Sequence, residues 1–592
     1  MSNGAGKPKP AFFIAVAVVV AGLIALAVMR CKGKSETGDG SGSQVTDNGG
    51  GSGKQVPAEN PGDGKPIPGL TADKYDYEPS TTLPPVPGTS GYSALGKPRV
   101  VNFAVNVWAG WAPIVWANQG HKAGKVWKDA KGNDFQIELQ LADDPVAMGN
   151  LVANGTHIGW ATVDMLPLII ERLKKDQRTM PRVFQQIDWS NGGDGIVARN
   201  SIKEVADLRG KTVVLAQNSP SHYFLLSMAQ NAGIKPSEVS DKCNSPNCIK
   251  LKFTKDAFQA AQAYNQNQDI AACVSWAPDI YTLTDNAASG NKLLVTTQTA
   301  NKLIADVWFA RADFARDNPE IIEGIVRGIL DAERELTGND QNKAKVGEML
   351  DKFYNLPGGT GGKMLGDAHW TNYAENKDFF LVANNPTNFE RTYTAARQAY
   401  IDIGVLPRND LVDFDKIMDF SVIKKLGTEE KYASQKNTYE FNFTPKNVKD
   451  INVESTIVTK TVTINFFPNS FDIFKKVPAQ SGGGEVYYDG KVEYTVEEIA
   501  KLAGQFGAAR IVISGHTDSS MKGTADPSLV KELSENRARA VKDGLLKKFP
   551  KLDPNQITTT GYGWEKPADP KDPDNHAKNR RVEVRVVPAE AQ

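Results

Sequence analysis

Three short stretches near the C-terminus constrain the fold of this chain more than any other part of its sequence. Residues 511–518 read Ile-Val-Ile-Ser-Gly-His-Thr-Asp, a β-branched run ending at a glycine, which predicts a strand. Five apolar residues then recur at helical spacing: Leu529, Leu533, Val541, Leu545 and Phe549. This spacing predicts a helix with one buried face, and Arg537 lies off that face. Residues 581–586 alternate between polar and apolar, which is typical of a half-buried strand. We therefore expect the strand-end Asp518 and the helix Arg537 to meet in one pocket.

This region resembles the OmpA-like, or OmpA–MotB, peptidoglycan-binding domain. Four motifs of that family occur in order: Gly515-His516-Thr517-Asp518, Leu533-Ser534-x-x-Arg537-Ala538, Gly561-x-Gly563-x-x-x-Pro567 and Asn579-Arg580-Arg581-Val582-Glu583. In the family, the Asp of the first motif and the Arg of the second hold the ammonium and carboxylate of diaminopimelate in the peptide stem. A carboxylate suits an ammonium, and a guanidinium holds a carboxylate through two parallel hydrogen bonds. The resemblance assigns these roles to Asp518 and Arg537, with Thr517 and Arg581 as further peptidoglycan-binding residues.

The sequence departs from the family pattern at two places. The loop between Asp518 and the helix, residues 519–528, is a few residues longer than usual, and Val530 stands where the family often has an Asn. One polar contact to the ligand is therefore missing. The alternative interpretation is that Asp518 and Arg537 form an ordinary surface ion pair.

Residues 11–29 form an uninterrupted apolar run near the N-terminus. At ~1.5 Å per residue, such a run nearly spans a hydrocarbon core of ~30 Å. A cleaved signal peptide is one alternative, although no A-x-A-like site follows. A lipoprotein signal ending at Cys31 is another, although the residues before Cys31 match a lipobox poorly. The retained single-span anchor is preferred, with residues 1–10 in the cytoplasm and the bulk of the chain in the periplasm. No charged residue interrupts the run, which argues against the ion path of a flagellar stator protein.

Two polar segments separate the predicted domains. Residues 30–97 are rich in Gly, Ser, Pro, Asp and Asn and predict a flexible linker, because such a segment buries too little apolar surface to fold. Residues 428–454 predict a second connector. The OmpA-like domain then covers residues 455–588, and its first strand is expected over Thr461–Phe467.

Between these segments, residues 98–427 predict an α/β domain. Strands such as Val100–Val105 and Ile158–Thr162 alternate with helical patterns, which is typical of βαβ units around a parallel sheet. Six short phrases resemble the type 2 periplasmic solute-binding proteins of ABC importers, in the nitrate/taurine/sulfonate branch: Gly110-Trp-Ala-Pro113, Gly155–Gly159, Ile202–Lys211, Ser219–Ser221, Ser275-Trp-Ala-Pro278 and Asp313–Glu320. The resemblance implies two α/β lobes joined by two crossover strands, which close on a ligand. The whole chain is thus expected to be an α/β two-lobed binding protein plus an α+β OmpA-like domain, with an N-terminal transmembrane helix.

Five residues are candidates for contacting the solute: Trp111, Asp164, Ser219, Ser221 and Trp276. The two serines precede a predicted helix, whose N-terminal N–H groups favour an anion. The tryptophans lie at strand ends or loops, as do Trp108 and Trp160, where they would line a cleft. An acidic Asp164 near an anion site would suit a zwitterion such as an amino-sulfonate. Each has a structural alternative, because a Trp also packs in cores and Ser219 or Asp164 also caps helices.

Composition and cysteine usage exclude some functions. Lysine plus arginine number 69, as do aspartate plus glutamate, so the net charge of zero argues against nucleic acid as a partner. Cys243 and Cys248 flank a short polar loop and predict a disulfide bond in an oxidising periplasm. A metal site is the alternative, but no second cysteine pair or histidine cluster lies nearby. Cys273 is expected to be a small buried hydrophobe. The cysteine-rich iron motif of related pyrimidine-synthesising proteins does not occur in the sequence, which argues against an enzyme, and no cofactor is expected.

The sequence therefore predicts a membrane-anchored solute-binding protein that holds a small anionic or zwitterionic solute for an ABC permease and attaches to peptidoglycan. The alternative from another functional class is a structural or sensory envelope protein whose two-lobed domain no longer serves transport.

Overall fold

The computed structural model of the protein describes residues 66–142, 145–467, 470–479 and 482–589. The predicted cytoplasmic N-terminus and the predicted transmembrane helix, residues 11–29, lie outside these ranges. Within the ranges, no helix combines the length and the apolar character that crossing a membrane requires.

The strands of the described residues are, in chain order, β1 (Tyr77–Glu78), β2 (Val100–Val105), β3 (Trp127–Lys128), β4 (Asp134–Leu141), β5 (Ile158–Thr162), β6 (Pro181–Ser190), β7 (Asp194–Arg199), β8 (Thr212–Ala216), β9 (Val239–Ser240), β10 (Ile249–Thr254), β11 (Ala272–Trp276), β12 (Asn291–Thr296), β13 (Ala305–Arg311), β14 (Ala368–Trp370), β15 (Val458–Val462), β16 (Lys476–Pro478), β17 (Glu485–Tyr487), β18 (Ala509–Gly515), β19 (Ile557–Gly561) and β20 (Val582–Pro588).

The helices of the same ranges are α1 (Ala112–Ala117), α2 (Pro145–Ala153), α3 (Leu166–Leu173), α4 (Pro220–Asn231), α5 (Ala257–Gln266), α6 (Asp279–Thr282), α7 (Ala312–Asp317), α8 (Pro319–Thr337), α9 (Asp340–Tyr354), α10 (Thr360–Met364), α11 (Tyr373–Leu381), α12 (Phe389–Asp402), α13 (Ser421–Leu426), α14 (Glu430–Ala433), α15 (Val492–Gln505), α16 (Pro527–Lys548) and α17 (His576–Asn579).

Two mixed sheets form the cores of two lobes. In the first lobe the strand order is β14-β6-β13-β5-β2-β4-β3, with β2 parallel to β4 and β5. In the second lobe the path is β1-β10-β8-β11-β7-β12, with β8 parallel to β10 and β11. Phe103 and Leu215 are buried on these sheets, because helices cover both faces of the central parallel strands. The predicted α/β domain with βαβ units is therefore present.

The chain crosses between the lobes where β6 leads into β7 and again where β12 leads into β13. Residues 191–193 form the first crossover, and residues 297–304 form the second. The two crossovers contact each other, since Gly192 donates its backbone N–H to Thr297 Oγ1 at 2.8 Å. This pair of segments is the junction about which two lobes of this kind open and close.

The C-terminal domain is an α+β unit with a four-stranded sheet in the order β15-β20-β18-β19. Parallel β18 and β19 and antiparallel β20 bury an aliphatic face under helices α15 and α16. Gly515 ends β18 directly against α16, where a Cβ atom would lie 2.0 Å from the carbonyl oxygen of Ser534. Only glycine fits at this close approach, so the sequence places Asp518 beside the helix that carries Arg537.

The C-terminal domain packs against the second lobe and the second crossover. Val205 donates its N–H to the carbonyl of Ile457 at 3.2 Å, and Lys302 donates its N–H to the carbonyl of Gln505 at 3.1 Å. One cluster of buried apolar side chains runs from Leu303 to Val496 across this contact. The two folded parts therefore share a core.

Four expectations from the sequence need correction. Residues 66–97 are not a free linker: β1 pairs with β10, and Thr71 donates to Asp279 Oδ1, because scattered Ile, Leu and Tyr residues here find apolar partners on the lobes. The sequence after Pro113 also predicts a helical stretch to about Asp129, but α1 ends at Ala117 and is followed by β3. The first strand of the C-terminal domain is β15, earlier than Thr461–Phe467. In α16, Leu529 is 62% exposed while Val530 is 2% exposed, so the buried face begins one residue later.

Candidate functional site

A cavity of about 70 Å³ lies at the junction of the two lobes. The first lobe supplies Asn106, Trp108, Trp160, Thr162 and Asp306 to its walls. The residues contributed by the second lobe and the first crossover are Asp194, Ser219, Pro220 and Trp276. Such a cavity is the default ligand site of a two-lobed fold.

Sheet register brings three polar side chains into one row of the first lobe. Asp306 at the start of β13 pairs with Asp188 on β6 and with Thr162 on β5. The carboxyl groups of Asp188 and Asp306 contact each other, and the indole Nε1 of Trp108 donates to Asp188 Oδ2 at 3.2 Å. Antiparallel neighbours in a sheet stand side by side, so this row follows from the strand pairing alone.

Asp194 enters the cavity from the first crossover. Ser190 Oγ donates to Asp194 Oδ2 at 2.7 Å and contacts Thr297 Oγ1 at 2.8 Å. Both crossovers therefore fix the position of this carboxyl group. A movement of the lobes about the crossovers would shift Asp194 relative to Asp306.

Burial keeps the acidic groups of this region from ionising readily. Burial raises the pKa of Asp194 to about 6 and that of Asp164 to about 7. It also raises the pKa values of Asp188 and Asp306, and the contact between their carboxyl groups raises that of Asp306 further. Removing a carboxylate from water disfavours its charged form, and neighbouring carboxylates add to the effect.

The five predicted solute contacts divide between the cavity wall and the layer behind it. Ser219 and Trp276 line the cavity. Trp111 is instead buried in the first lobe, 4.5 Å from the ring of Trp308, with Nε1 donating to Asn106 Oδ1. Asp164 and Ser221 are fully buried, and their side-chain oxygens find no hydrogen-bond partner among the described residues.

The hydroxyl of Ser219 is not free to contact an anion, as the sequence had predicted it would. It precedes α4 in an extended conformation, but its hydroxyl donates to the carbonyl oxygen of Ala216 at 2.7 Å. Pro220 follows at the first helical position and has no N–H to offer. The two residues therefore bring little donor capacity to the cavity.

Sequence reasoning missed the acidic residues of this site, Asp188, Asp194 and Asp306. In β7 and β13 the Asp stands beside an apolar run, and in β6 it follows two glutamines and an isoleucine, so each Asp looks like an ordinary polar residue near a strand end. One signal could have revealed these three residues. It is an Asp near the end of each of two strands that flank a crossover between the lobes.

The second candidate site lies in the C-terminal domain at Asp518. Its Oδ2 accepts a hydrogen bond from Arg580 at 2.8 Å, and its Oδ1 accepts from the N–H of Ser520 at 2.9 Å. His576 Nδ1 lies 3.7 Å from Oδ1. Although burial opposes ionisation, the hydrogen bonds from Ser520 and the charge of Arg580 hold the pKa of Asp518 below its usual value. The carboxylate is therefore ionised at neutral pH and available to a cation.

Arg537 lies on α16 near Asp518 without pairing with it. Its guanidinium carbon is 4.7 Å from the centre of the Phe466 ring, and its buried Nε finds no acceptor in the described part of the chain. The nearby Asp518 favours the charged form, while burial and Arg580 lower the pKa of Arg537. A half-buried guanidinium without a carboxylate partner can accept an incoming anion.

Thr517 and Arg581 lie beside this site and make hydrogen bonds within the domain. Thr517 donates its N–H to the carbonyl of Gly563 at 2.8 Å, and its Oγ1 is buried without a partner in the described structure. Arg581 is buried, with Nε donating to Glu583 Oε1 at 2.8 Å. The exposed arginine of the Asn-Arg-Arg motif is Arg580, which the sequence reasoning did not select although it stands in the quoted motif.

Two further observations bear on chemistry. The described residues contain no cluster of three or more His, Cys, Asp or Glu arranged to hold a metal ion. Cys243 and Cys248 form a disulfide bond with their Cα atoms 6.0 Å apart, and Cys273 is a buried free cysteine.

Two protein-family models match separate parts of this chain. Residues 137–342 match the NMT1/THI5 like family, and residues 489–581 match the OmpA family. The chain joins an NMT1/THI5 like domain to an OmpA family domain. The taurine-binding periplasmic protein of Escherichia coli (strain K12) is 25% identical over 263 residues, which are 44% of this chain and 76% of that protein. Outer membrane porin F of Pseudomonas fluorescens is 37% identical over 98 residues, 16% of this chain and 28% of porin F.

Solved structures also resemble the NMT1/THI5 like part. The periplasmic aliphatic sulphonate binding protein SsuA from Escherichia coli has a TM-score of 0.39 and 16% identity, covering 54% of this chain and 97% of that one. The periplasmic nitrate-binding protein NrtA from Synechocystis PCC 6803 has a TM-score of 0.38 and 14% identity, covering 57% and 91%. The two family models and the taurine-binding protein confirm the expected relationship to periplasmic solute-binding proteins and to the OmpA family.

Proposed function

We propose that this protein captures a small anionic or zwitterionic solute for an ABC importer and attaches non-covalently to peptidoglycan. What supports the proposal is that one chain carries two separate candidate binding sites. One is the cavity at the lobe junction of a domain homologous to taurine- and sulfonate-binding proteins. The other is the Asp518–Arg537 region of an OmpA family domain. Neither site presents an activated nucleophile, which favours binding over catalysis.

The wall site suits the zwitterionic centre of diaminopimelate. Asp518 offers an ionised carboxylate for the ammonium, and for the carboxylate Arg537 offers a guanidinium without a carboxylate partner in the described part of the chain. Because Arg580 already contacts Asp518, the incoming ammonium shares that carboxylate with Arg580. Charge-assisted hydrogen bonds of this kind contribute ~1.5–3 kcal/mol each.

The proposed location is the inner membrane, with residues 11–29 as a single span and the bulk of the chain in the periplasm. Fractionation of cells and sequencing of the mature N-terminus test this part. A protein that keeps its first residues and sediments with the inner membrane supports the anchor. A mature protein that begins at Cys31 and carries a lipid contradicts it.

Two measurements on the full-length protein test the function. Co-sedimentation with purified sacculi should pellet the protein, and soluble diaminopimelate-containing muropeptide should release it. In a thermal-shift screen with taurine, sulfonates, nitrate, phosphate and amino acids, at least one solute should raise the Tm. A solute at a hundredfold excess over its Kd increases the free energy of unfolding by ~2.7 kcal/mol. Failure to pellet contradicts peptidoglycan attachment, and no shift with any solute contradicts solute capture.

A sensory role is a second candidate, and contacts at the crossovers favour it. Tyr439, in the segment between the two domains, donates to Asn191 Oδ1 in the first crossover at 2.8 Å. Ala508, in the OmpA family domain, donates its N–H to Asn301 Oδ1 in the second crossover at 3.0 Å. Movement of the lobes would thus reach the wall-binding domain. Solute-dependent retention on sacculi would separate this role from simple transport.

A further inference from the structure

The walls of the cavity between the lobes carry acidic groups and no basic ones. Asp194 and Asp306 line the cavity, and Asp188 contacts Asp306 from behind. Among the described residues that line it there is no lysine, arginine or histidine. A bare anion placed here would meet carboxyl groups without a counter-charge, and the low effective dielectric constant of the interior strengthens that repulsion.

Polar atoms without well-aligned hydrogen bonds at the same wall indicate a ligand. Thr162 lines the cavity and is 4% exposed; its hydroxyl lies beside the buried Asp164 carboxyl group but makes no well-aligned hydrogen bond in the described structure. Behind this wall, Asp188 Oδ1 is buried near the Asp306 carboxyl group and likewise makes no well-aligned hydrogen bond there. Leaving a buried polar group unsatisfied costs about 1–3 kcal/mol, so a ligand that supplies donors would relieve this cost.

Three indoles complete the walls. The N–H groups of Trp108 and Trp160 are already donated, to Asp188 Oδ2 at 3.2 Å and to the carbonyl of Ala142 at 3.1 Å. These rings therefore offer the cavity their carbon surface rather than hydrogen-bond donors. Trp276 lines the cavity from the second lobe. Indole faces attract cations through their quadrupole, and aromatic walls with a nearby carboxylate suit an organic ammonium.

We infer that the cavity binds a small organic ammonium, with Asp306 and Asp194 as counter-charges and the three indoles as walls. The inference rests on the proposed solute-binding function and narrows its solute class, because it assigns the cavity to the ammonium group that a zwitterionic solute carries. The cavity of about 70 Å³ suits a compact headgroup rather than a long chain. Ser219 fits this assignment, because its hydroxyl is committed to the carbonyl oxygen of Ala216 and is not offered to an anion.

The pH dependence of ammonium binding provides an independent test of this assignment. The titratable groups that face Asp306 are Asp164, Asp188 and Asp194, and Asp194 in turn faces Asp367. Burial raises the pKa values of all these carboxyl groups, so a bound cation must displace protons from them. Ammonium binding should therefore strengthen as the pH rises from 5 to 8.

Isothermal titration of the full-length protein with two matched probes tests the inference. Ethanolamine and isethionate share a hydroxyethyl group and differ in carrying an ammonium or a sulfonate, and choline and nitrate extend the two classes. We expect ethanolamine and choline to bind and isethionate and nitrate not to bind. Binding of isethionate or nitrate without either cation would overturn the inference and leave the solute-binding function standing. A protein that binds neither class would contradict that function as well.

Variants locate the probe in the cavity. Asp306→Asn should weaken ethanolamine or choline binding by 10- to 100-fold, because a charge-assisted contact is lost. Asp194→Asn provides a second variant on the other lobe, with circular dichroism as a check of folding. The matched control is Asp279→Asn, since Asp279 is also buried with a raised pKa but accepts hydrogen bonds from Thr71 outside the cavity. Equal affinity in parent, Asp306→Asn and Asp194→Asn would overturn the assignment.

Discussion

The carboxylate of Asp518 lies 2.8 Å from a guanidinium nitrogen of Arg580, and Arg537 takes no part in this ion pair. Arg580 is exposed directly after the short helix α17, whereas Arg537 is half-buried against Phe466. The OmpA family domain therefore neutralises Asp518 with a replaceable surface charge, while the less accessible guanidinium of Arg537 has no carboxylate partner among the described residues. This division of roles fits a site that receives a ligand with both an ammonium and a carboxylate.

Removing either ligand-facing charge should weaken attachment to the wall. We expect Asp518→Ala and Arg537→Ala each to reduce affinity for purified sacculi by roughly 10- to 100-fold, since each change deletes a charge-assisted contact. The double variant should lose less than the sum, because both contacts hold one ligand group. Co-sedimentation of the full-length variants measures this. Variants that remain folded and pellet as fully as the parent would place the site elsewhere.

Arg580 should matter much less than its hydrogen bond suggests. Its side chain is 59% exposed, and solvent-exposed ion pairs typically contribute about 0–1 kcal/mol. We therefore expect Arg580→Ala to bind sacculi within roughly fivefold of the parent. Loss of binding as large as that in Arg537→Ala would show that Arg580 itself holds the ligand carboxylate.

Much of the fold follows from local sequence patterns. The strand β5 was predicted with its observed bounds, and β18 contains the predicted Ile-Val-Ile run, because β-branched runs bounded by turn residues specify strands strongly. The helix face of α16 was misplaced by one residue at its start. Leu529 and Val530 are both apolar there, and only the packing against β18 decides which of them is buried.

The cavity between the lobes was harder to predict than the fold. Its acidic row depends on the pairing of β13 with β5 and β6, contacts between segments more than a hundred residues apart. Trp111 was predicted to contact the solute because its segment resembled a loop. In the structure it is part of the core of the first lobe. The tryptophans in the sequence predicted that aromatic rings would line the cavity. Which of these tryptophans line it depends on how distant strands pair in the folded protein.

The disulfide bond should form in periplasmic material and contribute little stability. It closes a very short loop, so its effect on the entropy of the unfolded chain is below the ~3 kcal/mol expected for a 15-residue loop. Mass spectrometry without reductant should detect the peptide linked through Cys243 and Cys248. Two freely alkylated thiols would contradict this expectation. The buried Cys273 serves as the internal control, because it should react only after unfolding.

The NMT1/THI5 like domain should lose stability as the pH rises from about 4 to 7. Burial raises the pKa of Asp164 to about 7 and that of Asp194 to about 6, so the folded state holds protons that the unfolded state releases near its ordinary pKa of 3.8. Stability is therefore fully present below that value and declines toward the folded pKa, by an amount on the order of several kcal/mol. Thermal melts between pH 5 and pH 8 should show a falling Tm.

A neutral substitution checks that pH dependence. Asp164→Asn removes one of the groups and should reduce the slope of Tm against pH. The slope should not vanish, because Asp188, Asp194 and Asp306 remain. Equal slopes in Asp164→Asn and in the parent would contradict the assignment of the pH effect to Asp164.

Removing the hydroxyl of Tyr439 should loosen the first crossover. Tyr439 stacks on His369 with ring centres 3.8 Å apart and donates to Asn191 Oδ1, so Tyr439→Phe keeps the stacking and loses the hydrogen bond. A net loss of about 0.5–1.5 kcal/mol should speed hydrogen exchange of residues 191–193 by two- to tenfold. Tyr393→Phe is the matched control, because its hydroxyl donates at 2.8 Å to Val412, away from both crossovers. If Tyr439→Phe and Tyr393→Phe leave exchange at the crossover equally unchanged, the segment between the domains does not restrain the lobes and the sensory role loses its structural support.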